Sequence, residues 1–272
     1  MLGKLIKHEF IDTWKLFLLL DVAILIIGAF IGLSVSTSAF SSSDASGFFT
    51  TMGLGLYTLI LPCLGTICLV FIVVHYYRSL YSSQGYLTFT LPATTSEILF
   101  SRMLVAYIFE IINILCIILS IVFVVMGFYS IGESASGNLF THMVDNMIEG
   151  LYETPIEVIV TNVLWGISRI IYFLTTVFFA ISLGQLWQKH RIIGAIVSYF
   201  GIKIISAIIS TIFKVVNSND LQDTIEMYHL DEYNTDSALV MAAVIGTVTC
   251  LLISAAMYFA SVLITKHKLN LE

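Results

Sequence analysis

Long apolar runs separated by short polar stretches recur six times along the chain, at residues 16–35, 51–76, 103–129, 156–183, 192–216 and 238–265. Each reaches the roughly 20 residues that a helix needs to cross a bilayer's hydrocarbon core. Within lipid a single segment can satisfy its own backbone hydrogen bonds only as a helix. The pattern therefore predicts an all-α polytopic membrane protein: six transmembrane helices forming one transmembrane domain over residues 1–272.

Composition agrees, with 58% of residues hydrophobic and only 11% charged, a balance foreign to an ordinary soluble domain. The net charge of -6 says little until it is sorted by side. An even number of spans puts both termini on one face. That face carries Lys4, Lys7, Lys15, Arg78, Arg102, Lys189, Arg191, Lys266 and Lys268, whereas the opposite loops hold only Lys214. By the positive-inside rule both termini are expected in the cytoplasm. The acids gather outside, among them Asp44, Glu133, Asp145, Glu149, Glu153, Asp220, Asp223, Asp231 and Asp236.

Ahead of the first span, residues 1–15 set Leu2, Leu5, Ile6, Phe10 and Trp14 on one helical face, with Lys4, Lys7, His8, Asp12 and Lys15 largely opposite. Glu9 interrupts the apolar arc, but the pattern still predicts an amphipathic helix in the cytoplasmic interface. A cleaved signal peptide is the competing reading, and the length of the apolar run weighs against it. Two outer loops, 130–155 and 217–237, have apolar residues at helical spacing, including Leu139, Phe140, Met143, Leu221 and Ile225, and are expected to form short extracellular helices. Cys63, Cys68, Cys116 and Cys250 lie in or beside apolar runs and read as small core residues, with neither a disulfide framework nor metal spacing.

Four ionisable residues fall inside the spans: Asp21, Glu110, Arg169 and Lys203. Each is costly in lipid and should face protein or water. With Asn113 they are candidates either for a translocation path or for structural ion pairs, Glu110 with Arg169 and Asp21 with Lys203. Packing is the favoured reading, because paired charges also hold helices together. Small residues mark faces for close approach: Gly28 and Gly32, Gly194 and Ser198, and Gly246, Cys250 and Ser254. Pro62, followed by Gly65, predicts a kink in the second span.

The most structured polar stretch is the cytoplasmic loop over residues 78–102, which contains Gly85-Tyr-Leu-Thr-Phe-Thr-Leu-Pro92 and then Thr94-Thr-Ser-Glu97-Ile-Leu. Pro92 ends what precedes it, and a following Thr or Ser supplies an N-cap for a helix that begins near Glu97 and runs into the third span. In these residues, in Arg102 and in its six-span layout, the chain resembles the permease subunits of type-two ATP-binding-cassette (ABC) exporters, especially the small six-span forms of Gram-positive bacteria. The resemblance implies a bacterial cell-membrane protein whose residues Tyr86, Leu87, Thr88, Phe89, Leu91, Pro92, Thr95, Ser96, Glu97 and Arg102 couple to a separate ABC ATPase. Lys is frequent in the family where Arg102 stands, so the charge is kept. The resemblance further implies a second permease chain, identical or paralogous, with ATP and Mg held by the ATPase and no cofactor on this chain.

The chain has no G-x-x-x-x-G-K-[ST] phosphate loop, and His8-Glu9 lacks the second histidine of H-E-x-x-H. It is expected to be non-catalytic by itself, with membrane lipid as a further partner and no nucleic acid. Export is the favoured activity, and the resemblance leaves the substrate open among peptide antibiotics or other amphiphiles, lipids, drugs and sodium. A proton- or ion-coupled carrier relaying through Glu110, and a non-transporting immunity protein, are the alternatives.

Overall fold

The computed structural model describes residues 2–38, 44–81, 93–129, 154–187, 190–227 and 232–268, with residues 85, 145–146, 149–150 and 152 between them. The described residues form six long helices and no strand: α1 (Leu2–Ser38), α2 (Asp44–Tyr81), α3 (Thr95–Tyr129), α4 (Ile156–Gly184), α5 (Arg191–Met227) and α6 (Glu232–Lys268). All six are long and apolar enough to cross a membrane. Every predicted span lies within its own helix.

The helices overrun the apolar runs, because helix continues until a residue stops it. No proline and no change of backbone interrupts α1 between the expected surface helix and the first span, so residues 2–38 are one unbroken helix. Likewise α5 has no proline or glycine after Gly201 and stays helical to Met227, so the turns expected around Leu221 and Ile225 continue the fifth span. Most of the outer loop at 130–155 lies outside the described residues. Pro62 is accommodated inside α2, where the Thr66 hydroxyl donates to the Pro62 carbonyl at 2.7 Å.

Two compact units can be recognised along the chain: Met1–Val74 with Leu104–Thr154, and His75–Met103 with Pro155–Glu272. In the first, α1 buries one stripe: Thr13, Phe17, Asp21, Ile24, Gly28, Gly32 and Val35, spaced by three or four residues. The stripe meets α3 in a constant register. Phe17 stacks on Phe109, Asp21 accepts from Asn113, and Gly28 packs on Ser120, so each pair is offset by 92 positions and the two helices run parallel. Helix α2 runs the other way, with Tyr57 bonded to Ser120 and Phe71 edge-on to Phe17. Helices α1 and α3 approach backbone to backbone at Gly32 and Gly127. A Cβ on Gly32 would strike the Phe123 carbonyl, and one on Gly127 would strike the carbonyl of Gly32. Only glycine lets two backbones come so near.

In the second unit α4 packs against both α5 and α6. Trp165 with Gly246 and Thr176 with Met257 share an offset of 81 positions, so α4 and α6 are parallel. Helix α5 returns antiparallel, with Gly184 against Ala195 at the turn and Lys203 beside Tyr172 further along.

Candidate functional site

The loop joining α2 to α3 starts and ends on ordered structure. At its entry, Leu80 and Tyr81 are buried, and the Tyr81 hydroxyl reaches Ser182 Oγ at 2.9 Å and Thr265 Oγ1 at 3.4 Å. Tyr76, one turn back, stacks on Phe178 with ring centroids 4.1 Å apart. Tyrosine suits this place because its ring packs in the core while its hydroxyl finds a polar partner. Gly85 lies against the Leu80 carbonyl so closely that any Cβ would collide with it. The glycine in the loop motif thus has a steric reason.

At the exit, Thr94 and Glu97 form a reciprocal capping box. Glu97 Oε2 accepts from the Thr94 amide at 3.0 Å and from its hydroxyl at 3.1 Å, and the Glu97 amide donates to Thr94 Oγ1 at 3.3 Å. These bonds satisfy donors that a helix start otherwise leaves open, which sets the first turn of α3 beginning at Thr95. The next residue ties this start to α6: Ser96 Oγ lies 2.9 Å from the Tyr258 hydroxyl, which also donates to the Ser96 carbonyl at 3.0 Å. Phe100 packs edge-on against the same tyrosine. Ile98, Leu99, Ser101 and Met103 are buried, and Arg102 is half-buried. Of the ten residues for which the resemblance implies a coupling role, Thr95, Ser96, Glu97 and Arg102 lie in the first turns of α3. Tyr86, Leu87, Thr88, Phe89, Leu91 and Pro92 lie outside the described residues.

The intramembrane charges fall into two sets. In the first unit, Asp21 and Asn113 are both buried, and Asn113 Nδ2 donates to Asp21 Oδ1 at 2.8 Å and approaches Cys68 Sγ at 3.2 Å. One turn before Asn113, Glu110 is buried too, and its Oε2 has no hydrogen-bond partner among the described residues. In the second unit, Arg169 is exposed, with its guanidinium 5.1 Å from the Trp165 ring. Lys203 Nζ lies 5.5 Å from the ring of Tyr172 and 5.6 Å from those of Phe173 and Tyr199. The pairings expected from sequence join residues of different units. Within its own unit Asp21 has an amide as neighbour, and the two cations have aromatic rings.

The chain matches no family model, no curated protein and no solved structure. Its chemistry must be read from its own side chains.

A groove of about 250 Å3 opens beside Asp21 in the first unit, between α1 and α3. Its wall includes Phe10, Trp14 and Phe17 from α1 and Phe109 and Cys116 from α3. Phe109 stacks on both Phe10, at 4.9 Å, and Phe17, at 4.4 Å. Among the described residues no cluster of His, Cys, Asp and Glu is arranged to hold a metal ion.

Sequence reasoning singled out Asp21, Asn113 and Glu110, and the fold brings Asp21 and Asn113 into contact. It missed Cys68 as the third member of that contact, and Tyr81 and Tyr258 as the residues that tie down the loop ends. A signal for the tyrosines was present, since a hydroxyl near the end of an apolar run needs a partner. Nothing in the sequence named Ser182, Thr265 or Ser96 as that partner.

Proposed function

We propose that this chain is the membrane-embedded permease subunit of an ABC exporter, driven by ATP that a separate ATPase hydrolyses. The observation that supports this most is the anchorage of the 78–102 loop. Its entry is bonded through Tyr81 to α4 and α6, and its exit through Ser96 to α6. A loop that is only a connector has no need of fixed stems at both ends. A loop that must pass a partner's push to a membrane helix does, and the capping box makes its exit continuous with the 35 residues of α3.

In this reading Tyr86, Leu87, Thr88, Phe89, Leu91 and Pro92, with Thr95, Ser96, Glu97 and Arg102, dock on the ATPase. ATP and Mg belong to that partner, since this chain has no phosphate loop. Two permease chains, identical or paralogous, make the transporting assembly in the bacterial cell membrane, with all termini in the cytoplasm. Helix α1, with 37 residues, is about 55 Å long at about 1.5 Å per residue, well beyond a hydrocarbon core about 30 Å thick. Residues 2–15 therefore leave the lipid core on the cytoplasmic side as the amphipathic element, with Trp14 at the interface. The helical residues 145–146, 149–150 and 152 are outside in this reading, as is the far end of α5. The cargo moved outward is a peptide antibiotic or another amphiphile.

The test is co-purification with the candidate ATPase in lipid. ATP hydrolysis should rise when the two are combined, and deletion of residues 88–96 should abolish their association. A complex that survives the deletion with full activity removes the coupling assignment. One observation favours a second reading: the buried Oε2 of Glu110, without a hydrogen-bond partner among the described residues, suits a proton relay. Transport that follows a pH gradient without any ATPase and is stopped by Glu110→Gln would decide for that carrier.

A further inference from the structure

The groove between α1 and α3 is lined almost wholly by apolar and aromatic side chains, yet one wall carries a carboxylate, that of Asp21. An acyl chain would fill the groove and leave that carboxylate unanswered. The only hydrogen bond to Asp21 among the described residues comes from Asn113, a neutral amide. A second acidic side chain, Glu110, is buried one turn before Asn113 on the same helix. The basic residues of the same unit on α1, Lys4, Lys7 and Lys15, are not in the groove wall.

Asp21 is recessed, at 6% exposure, while Phe10 and Trp14 on the rim remain 38% and 39% exposed. The site thus offers a buried anionic group behind aromatic surface that is still uncovered. Aromatic faces attract cations within about 6 Å, most strongly where water is excluded. A carboxylate in an apolar surrounding is stabilised by a positive charge brought beside it. Leu18 and Val22, which also line the groove, are exposed on a helix long and apolar enough to cross a membrane, which gives a ligand dissolved in the bilayer a sideways entry.

We propose that this groove binds lipophilic cations, with the positive centre at Asp21 and the apolar body against Phe10, Trp14 and Phe17. This names the class of molecule for the proposed exporter, and as a substrate site it rests on that reading. Binding itself needs no ATPase, so it is measured on the full chain alone in nanodiscs of neutral phosphatidylcholine. Failure to bind then leaves the ATPase association untouched, and failure of that association leaves binding untouched.

The probe is tritiated tetraphenylphosphonium, with tetraphenylborate as an anion of the same shape. The expected result is saturable binding of the cation, with tritiated tetraphenylborate, measured in separate samples, showing none. Asp21→Asn should weaken it by about tenfold or more and Trp14→Ala by several-fold, while Asp21→Glu should retain it. Thermal stability of each variant is measured alongside. If Asp21→Asn fails to fold, Trp14→Ala decides, because that side chain lies on the exposed rim. Equal binding of both ions, binding unchanged in Asp21→Asn or, where that variant does not fold, in Trp14→Ala, or no saturable binding at all would overturn the proposal: the groove would then be a lipid seat or a covered face.

Discussion

At the scale of single residues, the contact between Asp21 and Asn113 shows how a costly group is tolerated in lipid. The carboxylate cannot be left bare, and within its unit the nearest answer is an amide at hydrogen-bond distance. Asn113→Leu removes that donor while keeping a side chain of similar bulk. Hydrogen bonds inside membranes are worth about 0.6 to 2 kcal/mol, so the variant should unfold at a lower temperature by a modest, measurable step. An unchanged melting temperature in a thermal size-exclusion assay would mean that the bond contributes nothing. Steric fit makes the larger demand. Gly127→Ala drives a methyl group into the Gly32 carbonyl, and since the obstacle is backbone, two helices must separate. It should destabilise more than Asn113→Leu in the same assay, whereas Gly55→Ala, with open space around it, should be neutral.

At the scale of elements, each helix is set by what starts and stops it. The head of α3 is fixed by the Thr94 and Glu97 capping box, and Thr94→Ala should cost about 1 kcal/mol of local stability. Hydrogen exchange can detect that loss as faster exchange of the amides at 95–98, with the middle of α3 unaffected. If the exposed loop stem exchanges at the same rate in both proteins, the cap does not set the helix start. The entry is held differently, by side chains at a distance in sequence. Tyr81→Phe removes both hydroxyl contacts and keeps the ring, so it should loosen the end of α2 without altering membrane insertion. Amide exchange at residues 77–81 reads the difference. Where such stops are missing the helix runs on, which is why α1 passes through the expected boundary at residue 15 and α5 through the one at 216.

At the scale of the whole molecule, the six apolar helices define a multi-pass membrane protein. Within each unit the first and third of its long spanning helices are parallel and the intervening one is reversed, as a chain that crosses the membrane at every span requires. The proposed orientation is open to direct measurement. Single cysteines placed at Lys4 and Lys266 should resist a membrane-impermeant thiol reagent in intact cells and react once the cells are opened. One placed at Asp145 should react from outside in both cases. Labelling of Lys4→Cys in intact cells would invert the topology and with it the assignment of the 78–102 loop.

The six spans, their apolar cores and a Thr or Ser cap ahead of α3 were legible in the sequence, because lipid imposes a length and a polarity on every span and helix capping is local chemistry, whereas the start at Thr95 and the reciprocal bond from Glu97 appear only in the structure. The special residues were legible for the same reason: a charge or a glycine stands out against a background of Leu, Ile and Val. Their partners were not. Whether Asp21 meets an amide or a cation, which tyrosines hold the loop stems, and where an aromatic groove opens beside a carboxylate depend on the rotation and register of one helix against another. A sequence of near-uniform hydrophobicity does not encode that register in any short window. It is decided only when residues 92 or 81 positions apart are packed together.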